Sequence, residues 1–263
     1  VTIEQIKNVC ACEKIECQKE LFSYLSDSDE YNRSYAASCL ENQKTVDSAL
    51  LEDAVNSKDE RVLAGALRIY AKHGRCADSL GSYLNSESAV LRAQAAYAIG
   101  GLKCEKFERP LIDLLWDRNI SVRVRAIDAL GEIAKPSSLS KIIGFLNSPH
   151  DQIAQATIKA VIKYQDQAVE PLKRTVLNGE RPELRARAAI ALAAITTKSS
   201  TKALSEILDS RDKDAVGAAL FALRYRKDKS LVQKIQKYLQ DGYEFGRYGK
   251  LSELAKEAIA NQQ

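Results

Sequence analysis

The sequence predicts an all-α protein, an α-solenoid of about eight antiparallel helix pairs. Three observations predict it. An alanine-rich helical signature returns at Ala36, Ala66, Ala95, Ala126, Thr157, Ala188, Ala219 and Ala255, in steps of 30, 29, 31, 31, 31, 31 and 36 residues. A second apolar column runs in step with it, at Leu25, Val55, Leu84, Leu115, Leu146, Leu177, Leu208 and Leu239. Between the two columns lie polar turns such as Ser26-Asp27-Ser28-Asp29, Asn56-Ser57-Lys58-Asp59 and Asp209-Ser210-Arg211-Asp212. A unit of this size cannot bury its apolar face alone, so neighbours must stack into an array. The repeats read 13–43, 44–74, 75–103, 104–135, 136–166, 167–197, 198–227 and 228–263, one array over residues 1–263.

Residues 104–135 show how one unit is written. Pro110 suits the opening of a helix, because its missing N–H would lack an intrahelical partner there anyway. Leu111, Ile112, Leu114 and Leu115 form the stripe of the first helix. Trp116-Asp117-Arg118-Asn119 interrupts it with capping side chains, whose oxygens accept the orphaned N–H groups of the next helix. Val122, Ala126, Ala129, Leu130 and Ile133 then recur at i, i+4, i+7, i+8 and i+11, one face of a 3.6-residue period. Lys135-Pro136 ends the second helix, since the residue before proline is pushed out of the helical region. The small residues at i+4 and i+7 let adjacent helices approach closely.

The pattern Leu115-x-Asp117-x-Asn119-x-x-Val122-Arg123-x-x-Ala126-x-x-Ala129-Leu130-Gly131 resembles a HEAT repeat, most nearly the short HEAT-like repeats of the phycobilisome-lyase type. Leu25, Asp27, Asp29, Arg33, Ala36 and Ala37 match it in the same way. The resemblance spans nearly the whole chain. It implies a right-handed superhelix whose second helices line the concave side. It implies no particular activity, because such repeats serve unrelated roles.

An arginine follows the first apolar residue of several second helices: Arg33, Arg92, Arg123 and Arg185. It falls inside the apolar arc and is expected to pair with a turn carboxylate such as Asp27 or Asp117, tying repeats together. Leu63, Ala154 and Val216 break this ladder. Opposite the apolar arc runs an outward stripe: Tyr35, Arg68, Lys72, Gln94, Tyr97, Arg125, Asp128, Glu132, Lys159, Lys163, Arg187, Ile190, Phe221 and Tyr225. Its charged members are six basic and two acidic. Charges suit any solvated face, but exposed aromatics beside arginine are the types enriched in interface hot spots. Tyr35, Arg68, Lys72, Tyr97, Arg125, Lys159, Lys163, Arg187, Phe221 and Tyr225 are therefore the candidate partner-binding residues. The expected function is a non-enzymatic scaffold that binds an acidic or mixed-charge protein segment on its concave, second-helix face. Nucleic-acid binding through the basic stripe is one alternative; an accessory subunit of a cofactor-attaching, lyase-like enzyme is another.

The remaining features bear on compartment and chemistry. All six cysteines lie between residues 10 and 104, a distribution that suits disulfides in an oxidising compartment. Cys17 and Cys39 flank the first hairpin symmetrically, each 11 residues from Ser28, and are expected to pair. Cys76 and Cys104 form the second expected pair; Cys10 and Cys12 sit too close together for an easy mutual bridge. Position 1 is not Met, which points to a processed chain, by leader removal or by trimming. Export to a periplasmic or extracellular space is the expectation, with a cytoplasmic chain of free thiols as the alternative. The last repeat carries an extra Gly242-Tyr243-Glu244-Phe245-Gly246-Arg247-Tyr248-Gly249 loop. Tyr243, Phe245, Arg247 and Tyr248 either bind a partner or fold over the terminal core. Net charge is only +4, and the two histidines, His73 and His150, have no local partners arranged for metal or nucleophilic work. No phosphate loop or dinucleotide fingerprint stands in the sequence. No catalytic residue, metal site or cofactor is expected.

Overall fold

The computed structural model describes residues 1–262. They fall into two compact units, 1–133 and 134–262.

The first unit holds α1 (Ile3–Cys10), α2 (Ile15–Ser23), α3 (Glu30–Asn42), α4 (Ser48–Val55), α5 (Glu60–His73), α6 (Leu80–Tyr83), α7 (Ala89–Gly101), α8 (Glu108–Asp113) and α9 (Ile120–Ile133). The second holds α10 (Pro136–Ile143), α11 (Asp151–Lys163), α12 (Asp166–Asn178), α13 (Pro182–Ala194), α14 (Lys198–Leu208), α15 (Lys213–Leu223), α16 (Val232–Gln236) and α17 (Leu251–Ala260). Even-numbered helices are the first members of the predicted pairs and odd-numbered ones from α3 onward are the second. Within each unit the pairs stack as a HEAT-like α-solenoid, each second helix packing on the next: α3, α5, α7 and α9 in one unit, α11, α13, α15 and α17 in the other. Among the described residues the only β pairing is a single bridge between Glu244 and Lys250.

The predicted columns are the core. Seven alanine-column positions and Thr157 are fully buried. Thr157 satisfies its hydroxyl by donating to the Ile153 carbonyl at 2.8 Å. Small residues set the spacing: a Cβ on Gly100 would lie 2.7 Å from Ala129 Cα, so α7 and α9 meet backbone to backbone there. Leu177 and Leu239 depart from their column and are only half-buried. The turns cap as their composition predicts. Asp29 accepts from the Tyr31 N–H at 2.9 Å, Asn119 from Ser121 at 2.9 Å, and Asp212 from Asp214 and Ala215 at 2.9 and 3.2 Å. Each such cap stabilises its helix by roughly 1 kcal/mol.

One helix is absent from the predicted repeats. α1 precedes repeat 13–43 and packs against α3 as a solitary second helix. Thr2 and Gln5 cap it reciprocally, and Ile6 is its buried contact. Its presence changes the disulfide pattern. Cys10 pairs with Cys39, Cys12 with Cys17, and Cys76 with Cys104. The expected Cys17–Cys39 bridge is thereby corrected. Symmetric counting from the turn assumes two regular α-helices, but α2 ends in a 3₁₀ turn at Tyr24–Ser26, which changes rise and phase. Cys39 instead pairs with the end of α1, where the Cα atoms of residues 10 and 39 lie 5.1 Å apart.

Candidate partner-binding faces

Repeat-to-repeat braces come first, because they decide which charged residues remain for a partner. Arg92 is nearly buried. Its Nε and Nη2 hold Asp117, in the turn of the next repeat, at 2.7 and 3.0 Å, and its Nη1 donates to the carbonyls of Ser86 and Glu87 at 2.7 and 2.9 Å. Burial alone would raise the Asp117 carboxyl, but the Arg92 guanidinium and the Asn119 N–H hold it below the usual range. Arg185 repeats this arrangement with Asp212. Arg33 donates to the Asp27 and Ser28 carbonyls of its own turn, at 2.8 and 2.9 Å. Arg123 leaves its Nε buried without a hydrogen bond; the position corresponding to Asp117 one period later is Ser148, which brings no charge.

On the first unit, part of the predicted stripe forms a connected network. Its hub is Glu41 of α3, a residue the sequence pattern did not single out. Arg68 of α5 places Nε 3.0 Å and Nη2 2.9 Å from Glu41 Oε2, and Nη2 also 2.9 Å from Ser38 Oγ. Tyr97 of α7 donates its hydroxyl to Glu41 Oε1 at 3.1 Å. Arg125 of α9 lies over the Tyr97 ring, 4.8 Å from its centroid. Tyr97 thus reaches α3 across α5. Burial, then the Glu41 charge, pushes the Tyr97 phenol up. Arg68, Tyr97 and Arg125 are consequently ordered by one another, Lys72 stays exposed, and Tyr35 is half-buried.

On the second unit the stripe divides. Lys159 and Lys163 of α11 are exposed. Arg187 turns back to brace the preceding repeat, donating to the Leu146 and Ser148 carbonyls at 3.0 and 2.9 Å and to Asp151 at 2.9 Å. Those carbonyls end a 3₁₀ turn at Gly144–Asn147 and lack intrahelical donors. Arg187, expected to face a partner, is therefore engaged within the fold. Farther along, Phe221 of α15 and Tyr225, in the turn just past its end, meet edge to face at 6.2 Å. Arg224 lies over both rings, donates to the Tyr225 hydroxyl at 3.0 Å and pairs with Glu257. Tyr225 remains 69% exposed.

The loop of the last repeat is partly a lid on the core. Phe245 is fully buried. Its ring occupies the space above Gly217, where a Cβ would come within 2.5 Å of Phe245 Cγ. Tyr248 stacks on Phe245 at 5.1 Å and meets Phe221 at 4.7 Å. Gly246 and Gly249 take φ of +49° and +104°, conformations glycine adopts without steric cost. Tyr243 and Arg247 stay on the surface, Tyr243 donating to Asp214 at 3.1 Å and Arg247 lying 3.7 Å from Glu183. Among the described residues there is no group of three or more His, Cys, Asp or Glu side chains arranged to hold a metal, and no helix is long and apolar enough to cross a membrane.

Stacked helix pairs with a buried small-residue column and inter-repeat arginine braces define a helical-repeat protein. The sequence profile of HEAT repeats matches residues 77–162 and 139–224, more than half of the chain. The protein belongs to the HEAT-repeat family. No curated protein matches the sequence. Among solved structures the chain is similar to Escherichia coli YibA, at 19% identity, covering 100% of this chain and 97% of that one with a TM-score of 0.55. It is also similar to a chain in the complex of CpcE and CpcF of phycocyanin lyase from Nostoc sp. PCC7120, at 18% identity, with 94% of each chain covered and a TM-score of 0.47. An engineered protein matches at 17% identity, covering 98% of this chain and 83% of that one, with a TM-score of 0.45.

Proposed function

We propose that this protein is a non-enzymatic scaffold that binds an acidic or mixed-charge segment of a partner protein on the outward faces of its second helices. The carrying observation is Tyr225, an aromatic kept largely in solvent while Arg224 lies over its ring and hydrogen-bonds its hydroxyl. Folding does not require that exposure, and Tyr and Arg are the residue types that dominate interface energetics. Exposed Lys159 and Lys163 supply positive charge on the same unit. The pairing of all six cysteines supports an exported protein, since such bridges persist in oxidising compartments.

The test is affinity capture from the native source under non-reducing conditions. The variants are Tyr225→Ala and the double variant Lys159→Glu with Lys163→Glu, all exposed positions. Reduced recovery of one partner by both variants is the expected result; unchanged recovery by both would sink the proposal. A bound population that falls steeply with salt and contains nucleic acid would favour the nucleic-acid alternative. A copurifying chromophore or lyase subunit would favour the accessory-subunit alternative.

A further inference from the structure

α1 is held to the fold by little packing. It is 8 residues long, and among the described residues Ile6 is its one buried side chain. Isolated helices shorter than about 12 residues are marginal in water, and burying one isoleucine does not offset the ordering of a whole helix. The helix beneath it, α3, has 13 residues and buries Asn32, Ala36, Ala37, Cys39 and Leu40. What compensates in α1 is the Cys10–Cys39 bridge, whose cysteines are 29 residues apart. The turn after α1 is anchored separately. Gln43 Nε2 donates to the Cys12 carbonyl at 3.0 Å, and Gln18 Nε2 donates to the Glu13 and Thr45 carbonyls at 3.4 and 3.0 Å. A second bridge, Cys12–Cys17, spans that turn.

We infer that α1 is a thiol-switched cap on the first repeat, released by disulfide exchange from Cys12. The two bridges differ in access. Cys12 and Cys17 are half-buried and the residues between them are exposed, whereas Cys39 is 5% exposed. A bridge between residues 5 apart also restricts the unfolded chain far less than one between residues 29 apart. A dithiol in solution therefore meets Cys12–Cys17 first. It gives two electrons and two protons to that bond and leaves as its own disulfide. Cys12 then stands close to the remaining bridge: it is two residues from Cys10, and its carbonyl is held by Gln43, one helical turn beyond Cys39 on the same face of α3. The Cys12 thiolate attacks Sγ of Cys39. The Cys12–Cys39 bond forms, the Cys10–Cys39 bond breaks, and Cys10 takes up the proton that Cys12 gave. Attack on Cys10 instead would join residues two apart and leave the charge on buried Cys39, where burial disfavours a thiolate. The exchange keeps the turn pinned to α3 and cuts α1 loose. It uncovers Asn32, which in the oxidised protein donates to the Val1 carbonyl at 2.8 Å, and Ala36 one turn farther along that face.

The test uses the disulfide-intact protein and limiting dithiothreitol. Samples are quenched in acid, free thiols are alkylated with N-ethylmaleimide, and bridges are mapped by mass spectrometry while hydrogen exchange is followed along the chain. The first partly reduced species is expected to carry a Cys12–Cys39 bridge, free Cys10 and Cys17, and an unbroken Cys76–Cys104 bridge. In that species the α1 amides should exchange at least about tenfold faster, with those of α5 and α7 unchanged. Cys17→Ser leaves Cys12 without its partner and should show the Cys12–Cys39 bridge with no reductant added. Cys12→Ser with Cys17→Ser removes the attacking thiol and should slow the release of α1 by dithiothreitol about tenfold or more. Release of α1 from this double variant at the unaltered rate overturns the inference. So does a Cys17→Ser protein that keeps only the Cys10–Cys39 bridge. The unaltered protein decides the matter even where a variant does not fold: direct reduction of Cys10–Cys39 with no Cys12–Cys39 species, or a species with free Cys10 whose α1 stays protected, overturns it as well.

Discussion

Removing Asp117 tests the central mechanical feature, the brace between successive repeats. Arg92 and Asp117 each have side chains only 8% exposed, and Arg92 has four short hydrogen bonds, two of them to Asp117. Asp117→Ala leaves the guanidinium desolvated with only the Ser86 and Glu87 carbonyls as partners, and removes the acceptor of the Asn119 N–H at 2.8 Å. Breaking one side of a buried ion pair costs about 3–5 kcal/mol. Replacing both partners, Arg92→Met with Asp117→Ala, should recover part of that loss because no unpaired charge remains. Trp116, the chain's single tryptophan, adjoins the site and stands exposed in the same turn, so its fluorescence reports local opening directly. Urea titrations of the four proteins, followed by Trp116 emission and by far-ultraviolet circular dichroism, give the coupling energy as a double-mutant cycle. The two probes also reveal whether repeats unfold together, which stacked arrays need not do. A cost below about 1 kcal/mol for Asp117→Ala would refute the reasoning, because that is the range of an exposed pair.

Other expected outcomes follow from the same geometry. Gly217→Ala drives a methyl into the Phe245 ring and should destabilise the last repeat by about 1–3 kcal/mol, an overpacking cost; differential scanning calorimetry and hydrogen exchange at 240–250 check it. Cys10→Ser with Cys39→Ser opens a loop of 29 residues and should cost about 3–4 kcal/mol on the chain-entropy estimate, with α1 losing exchange protection before the other helices. Acid should weaken the braces. The folded-state carboxyls of Asp117 and Asp212 are held below the ordinary range, after burial is more than offset by arginine and backbone N–H groups. Their contribution is present above the unfolded value near pH 4 and is lost as pH falls through the folded values. Urea midpoints should fall below pH 4, and Asp117→Asn with Asp212→Asn should flatten that fall.

The candidate face was legible in the sequence to different depths. The stripe positions were found by helical phase alone, which tells outward from inward because every third or fourth residue shares a face. Phase cannot tell an outward side chain that meets solvent from one that meets the next repeat. Arg68, Tyr97 and Arg187 are long enough to cross that gap, and they do, on Glu41, Ser38 and the Leu146 carbonyl. Lys159 and Lys163 remain at the surface.

The sequence by itself determined the repeat, its helix pairs, the buried alanine and leucine columns and the capped turns. Those follow from local periodicity and from side chains acting on backbone two or three residues away. The tertiary structure alone decided which cysteines meet, that α1 joins the array, that Phe245 closes over Gly217, and that Glu41 gathers residues from two later helices. Apart from the Cys12–Cys17 bridge, whose cysteines are 5 residues apart, these depend on how stacked repeats are rotated, which brings together residues 27 to 56 positions apart. Such contacts are set by packing all the side chains at once, and no short window of sequence contains them.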